Sequence, residues 1–127
     1  MIQQQSICQI IDNSGAKTAK CIKVLNKKSI ARVGDLIIVS ITKVKNNLNK
    51  ISKIKKGSVF FALIVGLKTT YQKKKGILFL TNHNIVCLLN KQKKLLATRL
   101  NKPISKELKK KKMFKLTSLT LAGYYQK

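Results

Sequence analysis

The stretch Leu36-Ile-Ile-Val-Ser-Ile-Thr-Lys-Val-Lys45 settles the fold class. Ile37, Ile38, Val39, Ile41, Thr42 and Val44 are all β-branched, and branched side chains favour extended backbone. Val33-Gly34-Asp35 precedes it as a turn. The polar stretch 46–50 follows, and Lys55-Lys-Gly57 marks the next turn. Then comes Val59-Phe-Phe-Ala-Leu-Ile-Val-Gly-Leu67, an almost continuous apolar run. Such a run predicts a central strand buried on both faces, with Phe60 and Phe61 in packing roles. At nine residues it is too short to span a bilayer as a helix.

Working outward, residues 7–11 are apolar-rich and stop at Asp12-Asn-Ser-Gly15, a strong turn signal. Residues 19–25 mix apolar and basic side chains and end at Asn26-Lys-Lys-Ser29. On the far side, 69–75 reads as a basic loop closed by Gly76. Residues 77–80 and 85–89 read as two short strands joined through Asn82-His-Asn84. About six strands at this spacing predict an all-β fold, a small barrel. The character changes after Lys91. Asn101-Lys-Pro103 resembles a helix start, and 105–112 predicts a helix with Leu108 and Met113 inward. Residues 114–121 predict a second short helix or an extended tail. No internal repeat or domain boundary is visible. The expectation is one domain over 1–127: barrel to about residue 100, helical segment about 101–121, tail 122–127.

Charge restricts the function. The 127 residues carry 28 Lys and Arg against three Asp and Glu, a formal net charge of +25. Three carboxylates can pair with only a few of these cations, so the rest face water or a polyanion, naturally a nucleic acid. Disorder is a poor reading, because 44% hydrophobic residues suffice for a core. Acid–base catalysis by paired carboxylates is nearly excluded. The one histidine, His83, sits in a predicted turn, where an exposed or turn-stabilising role outweighs a catalytic one. No phosphate-binding Gly-rich motif is present. No catalytic residue and no cofactor is expected. Cys8, Cys21 and Cys87 are scattered without metal spacing, which predicts buried, reduced thiols and no metal. The start of the chain shows no signal or transit pattern, so no membrane or secretory role is expected.

The cations fall in clusters. Lys53, Lys55 and Lys56, then Lys73, Lys74 and Lys75, then Lys91, Lys93 and Lys94 are expected to bind RNA phosphates. A fourth cluster is Lys109, Lys110, Lys111 and Lys112. Clusters on separate loops suit a folded RNA with phosphates on several sides. Of the 28 cations only Arg32 and Arg99 are Arg, so the chain reads as a phosphate and shape binder more than a base reader. Tyr71, Tyr124 and Tyr125 are the aromatic residues best placed to stack on bases.

Asp12-Asn-Ser-Gly-Ala16, Cys21-Ile-Lys-Val-Leu25, Val33-Gly-Asp35 and Lys55-Lys-Gly57, in that order and spacing, resemble the universal large-subunit ribosomal protein 14 family. Ala97-Thr-Arg-Leu100, Pro103, Glu107-Leu108, Lys112-Met-Phe-Lys-Leu116 and Ser118-Leu119 continue the resemblance over essentially the whole chain. It implies a five-stranded barrel with short C-terminal helices. It implies binding to large-subunit ribosomal RNA and bridges to small-subunit ribosomal RNA. It also implies contacts with the large-subunit protein families 3 and 19, and docking of a ribosome-silencing factor. Thr98 and Arg99 match the family's Gly-Thr-Arg segment, so the resemblance assigns them, with Lys109, Lys110, Lys111 and Lys112, to the intersubunit bridge. Asp12, Asn13 and Gly15 form the matching turn, read as structural: local hydrogen bonds from the first two, backbone freedom from the third.

Three places depart from the family. Ala97 stands for its Gly, Gln72-Lys-Lys-Lys-Gly76 for its Arg-Arg-Pro-Asp-Gly, and Ser118-Leu-Thr-Leu-Ala122 for its Ser-Leu-Ala-Pro-Glu.

The chain has 26 Lys, nine Asn and 15 Ile, against six Gly, six Ala, one Pro and two Arg. The first group uses AT-rich codons, which points to an organelle-encoded protein of the mitochondrial ribosome. An AT-rich bacterium or a plastid is the alternative. A free-standing RNA-binding barrel acting as chaperone or regulator is the alternative function.

Overall fold

The computed structural model describes residues 1–26, 29–45, 54–68, 71–72, 78–79, 82–105, 107–110 and 114–120. Its strands are β1 (Ile7–Ile10), β2 (Ala16–Val24), β3 (Leu36–Val44), β4 (Val59–Gly66), β5 (Tyr71–Gln72), β6 (Leu78–Phe79) and β7 (Ile85–Leu89). Two short helices follow, α1 (Glu107–Lys110) and α2 (Phe114–Ser118). Five strands close a barrel in the order β1-β2-β3-β4-β7, and β5 pairs with β6 in a separate two-stranded sheet. Only the β1–β7 seam is parallel. The all-β class, the five-stranded barrel and the short C-terminal helices are thus present as expected.

Directly opposed residues share a face of a sheet, so the register identifies the barrel interior. Cys8 lies opposite Ala19, and Ala19 opposite Ile41. Ile10 lies opposite Val86, and Val86 opposite Ile64. Ala62 sits between Ile37 and Leu88. All of these are buried. The β-branched residues of β3 alternate accordingly: Ile37, Val39 and Ile41 point in, while Ile38, Ser40 and Thr42 are only half-buried.

The opposite face of β4 and β7 is buried too: Leu63 opposes Cys87, Ile85 opposes Gly66, and all four are buried. The chain after β7 provides the cover. Leu95 bridges to Leu89, and the Leu96 N–H donates to the Leu88 carbonyl at 3.3 Å. The Ser105 N–H donates to the Val65 carbonyl at 3.1 Å, and the Leu100 N–H to that of Leu119 at 3.1 Å. Leu100, Ile104, Leu108 and Leu116 are buried in the same core cluster. A buried leucine stabilises by about 1.5–3 kcal/mol. The short helices therefore persist through packing, since helices of four and five residues cannot stand on propensity.

Several expectations need correction. The two short strands expected at 77–80 and 85–89 are β6 and β7, but they do not pair with each other: Leu78 and Phe79 pair with Gln72 and Tyr71, whereas β7 inserts between β1 and β4. The expected loop 69–75 accordingly contains a strand. Among the described residues there are seven strands where about six were expected, the addition being β5. The 59–67 run is buried on both faces only over Ala62–Gly66, because Val59 is 58% exposed and Phe60 and Phe61 pack against the core from its margin. Asn101-Lys-Pro103 does not start a helix. The Asn101 N–H donates instead to the Ile11 carbonyl at 2.9 Å, which ties the segment to the residue that follows β1. Ser105 begins the helix, its hydroxyl accepting from the Glu107 N–H at 3.4 Å and its carbonyl from the Leu108 N–H at 3.2 Å. Leu108 is buried as expected, and Met113 lies outside the described residues. The three cysteines are free and buried, as expected.

Candidate nucleic-acid interface

Strand direction decides where the cations go. β1, β3 and β7 finish at the barrel end where β2 and β4 begin. Every loop at that end therefore leaves or enters the barrel on one side. Lys55 and Lys56 occupy the turn into β4, fixed where the Gly57 N–H donates to the Ile41 carbonyl at 2.8 Å and the Ile41 N–H to the Ser58 carbonyl at 3.0 Å. Gly57 has φ +84, a conformation that side-chain-bearing residues rarely adopt. Lys91, Lys93 and Lys94 occupy the turn out of β7. The Asn90 N–H donates to the Lys94 carbonyl, the Lys93 N–H donates to the Asn90 carbonyl (both 2.9 Å), and the Asn90 side chain accepts from the Gln92 N–H at 2.8 Å. All five lysines are exposed.

The turn 12–15 lies at the same end and does more than the local capping expected of it. The Asp12 carboxylate is fully buried and accepts from the Ser14 N–H at 3.1 Å, from the Ser14 hydroxyl, and from the Leu88 N–H of β7 at 2.9 Å. Asn13 makes no local hydrogen bond among the described residues. Its carbonyl oxygen accepts from the Thr98 N–H at 3.1 Å and its amide donates to the Thr98 hydroxyl at 2.9 Å, a clamp between residues 85 apart in the chain. Arg99 follows immediately and is exposed. Gly15 takes φ +98 in the turn, and its carbonyl accepts from the Lys45 N–H at 2.8 Å.

Thus Lys55, Lys56, Lys91, Lys93, Lys94, Thr98, Arg99 and the Asp12–Gly15 turn come together at one end of the barrel. Lys109 and Lys110 lie in α1. Lys53, Lys73, Lys74, Lys75, Lys111, Lys112, Tyr124 and Tyr125 lie outside the described residues.

Three exposed cations at this end were not singled out from the sequence: Lys17, Lys43 and Lys45. Thr18, next to Lys17, pairs with Lys43, and their neighbourhood is fixed by the 2.8 Å contact of the Thr18 and Thr42 hydroxyls. Lys17 and Lys43 lie within strands and Lys45 directly follows β3, each apart from the runs of Lys. The signal was the alternation of β2 and β3, which puts every second side chain outside.

The two aspartates leave this field unopposed. Asp12 is occupied with N–H and hydroxyl donors inside the fold. Asp35 accepts from the Arg32 N–H at 2.8 Å and the Asn26 amide at 2.9 Å. Neither meets a cationic group among the described residues. The thiols are inert by environment. Burial, and then Cys21, push the Cys8 thiol up to about 12. Burial also raises the Cys21 thiol, and burial followed by the Asp12 carboxylate raises that of Cys87. Among the described residues no three His, Cys, Asp or Glu side chains gather as a metal site. No described helix is long and apolar enough to cross a membrane.

The arrangement offers point charges on hydrogen-bonded turns and one exposed guanidinium at a single barrel end. That geometry suits phosphate oxygens more than a buried small-molecule substrate. A family model described as Ribosomal protein L14p/L23e matches residues 1–122.

Proposed function

The chain belongs to the ribosomal protein L14p/L23e family, and on that basis we propose that it fastens large-subunit ribosomal RNA and carries a bridge to the small subunit. Membership makes it a structural constituent of the large ribosomal subunit, in a family that serves translation without catalysing it. The RNA-binding residues of this reading are Lys55, Lys56, Lys91, Lys93 and Lys94, joined by Lys17, Lys43 and Lys45. Lys53, Lys73, Lys74 and Lys75 belong to the same proposal. Thr98, Arg99, Lys109, Lys110, Lys111 and Lys112 form the bridge side. The neighbours in this account are the large-subunit protein families 3 and 19, and a ribosome-silencing factor. The compartment is the mitochondrial ribosome, as codon usage suggests.

One observation carries the bridge assignment: exposed Arg99 sits directly after a residue clamped by Asn13 through two hydrogen bonds. The clamp fixes the point where Arg99 leaves the barrel, and its exposed side chain has no partner among the described residues, as a contact formed only on subunit joining requires. Arg99→Glu should therefore impair joining of the two subunits while large-subunit assembly proceeds. Equal loss of both would refute the bridge role.

A further inference from the structure

Ile7, Gln9, Thr18, Lys68, His83 and Asn84 line an open depression of about 260 Å³, to which none of the lysines assigned above contributes. That is many times the ~10–15 Å³ one water needs. We propose that it receives one unpaired nucleotide of ribosomal RNA. The proposal rests on the RNA-binding reading above and names a contact which that reading does not contain.

The two amides carry the argument. The Gln9 carbonyl oxygen accepts from the Lys102 ammonium at 2.8 Å, and the Asn84 carbonyl oxygen accepts from the Lys68 N–H at 2.9 Å. Each side chain is thereby oriented with its acceptor occupied. Neither NH₂ group has a partner among the described residues. A side-chain amide has two donors on its nitrogen, so the depression presents donors aimed at an acceptor-rich ligand. Lys68 adds a cation at the rim, and Lys102 stands beside Gln9. None of the three carboxylates lines it.

The apolar side is equally specific. Ile7 is 69% exposed, the most exposed large hydrophobic side chain among the described residues, and His83 is exposed in the same lining. An imidazole and an aliphatic surface give a base two faces to lie against. The carbonyl oxygens and ring nitrogens of a base meet the amide donors, and flanking phosphates meet the lysines. A paired base hides its faces in the stack, so the nucleotide must be unpaired.

The test is chemical probing of large-subunit ribosomal RNA bound to the full-length protein, with two variants. Gln9→Glu/Asn84→Asp keeps both carbonyl contacts and replaces both NH₂ donors. His83→Ala removes the stacking face at an exposed turn, where folding is unaffected. Both should restore reactivity at the same unpaired nucleotide, leave the other protections in place and weaken binding about tenfold at fixed salt. A His83→Ala footprint identical to wild type would overturn the pocket and leave the RNA-binding reading intact. Absence of any footprint with wild-type protein would overturn that reading, and the pocket with it.

Discussion

Replacing Asp12 with Ala should destabilise the protein far more than an ordinary turn substitution. Asp12 is fully buried and joins the turn after β1 to the backbone of β7 through the Leu88 N–H at 2.9 Å. A hydrogen bond to a charged acceptor is worth about 1.5–3 kcal/mol. Truncation also strands the buried Leu88 N–H, at about 1–3 kcal/mol, and loses the two contacts to Ser14. Relief of the carboxylate's own desolvation offsets part of this. The net expected loss is about 3–4 kcal/mol, a large share of the 5–15 kcal/mol typical of a domain. With a urea m-value of about 2 kcal/mol/M, the midpoint should fall by roughly 1.5–2 M with the slope unchanged. The chain has no Trp, so unfolding is best followed by far-ultraviolet circular dichroism. High salt in the buffer screens the +25 net charge. Asp12→Asn should be intermediate, because it keeps the oxygen facing Ser14 and opposes an NH₂ to the Leu88 N–H. A loss below about 1 kcal/mol for Asp12→Ala, or an Asn variant as stable as wild type, would refute the reasoning.

Two other outcomes follow from the charge and the thiols. If about six lysines meet phosphates, affinity for ribosomal RNA should fall by roughly 10³ or more between about 50 and 200 mM salt, and a flat response by filter binding would contradict the electrostatic account. The Cys8 thiol is raised from 9.0 to about 12 in the fold, so the folded state favours its protonated form and its stabilising contribution is lost as pH rises from 9 toward 12. Near pH 8 a thiol reagent should therefore modify Cys8, Cys21 and Cys87 only at the rate of unfolding; rapid labelling of the folded protein would contradict their burial.

Strand positions were legible wherever β-branched runs were bounded by turns, as in β3, because local preference and burial agree there. β5 was not, since two residues carry no period to read, and its pairing with β6 was missed with it. The helix start was misplaced because Asn101-Lys-Pro103 and Ser105 both satisfy local capping rules four residues apart. Tertiary contacts chose between them: Ile104 is buried and the Ser105 N–H is bonded to Val65 in β4.

For the interface, runs of Lys pointed to the loops, but nothing local revealed that the described loops share one barrel end. That follows from the order β1-β2-β3-β4-β7 and its single parallel seam. Lys17, Lys43 and Lys45 stayed hidden because they stand singly in or next to strands. The Asn13–Thr98 clamp, spanning 85 residues, had no sequence signal, although both partners had been singled out for other reasons.

The most direct test of the central claim is sedimentation of native ribosomes, with the subunits separated at low magnesium. The protein should migrate with the large subunit, withstand a moderate salt wash and leave it in a strong one. Protein found at the top of the gradient while large subunits migrate away would contradict its place in the large subunit.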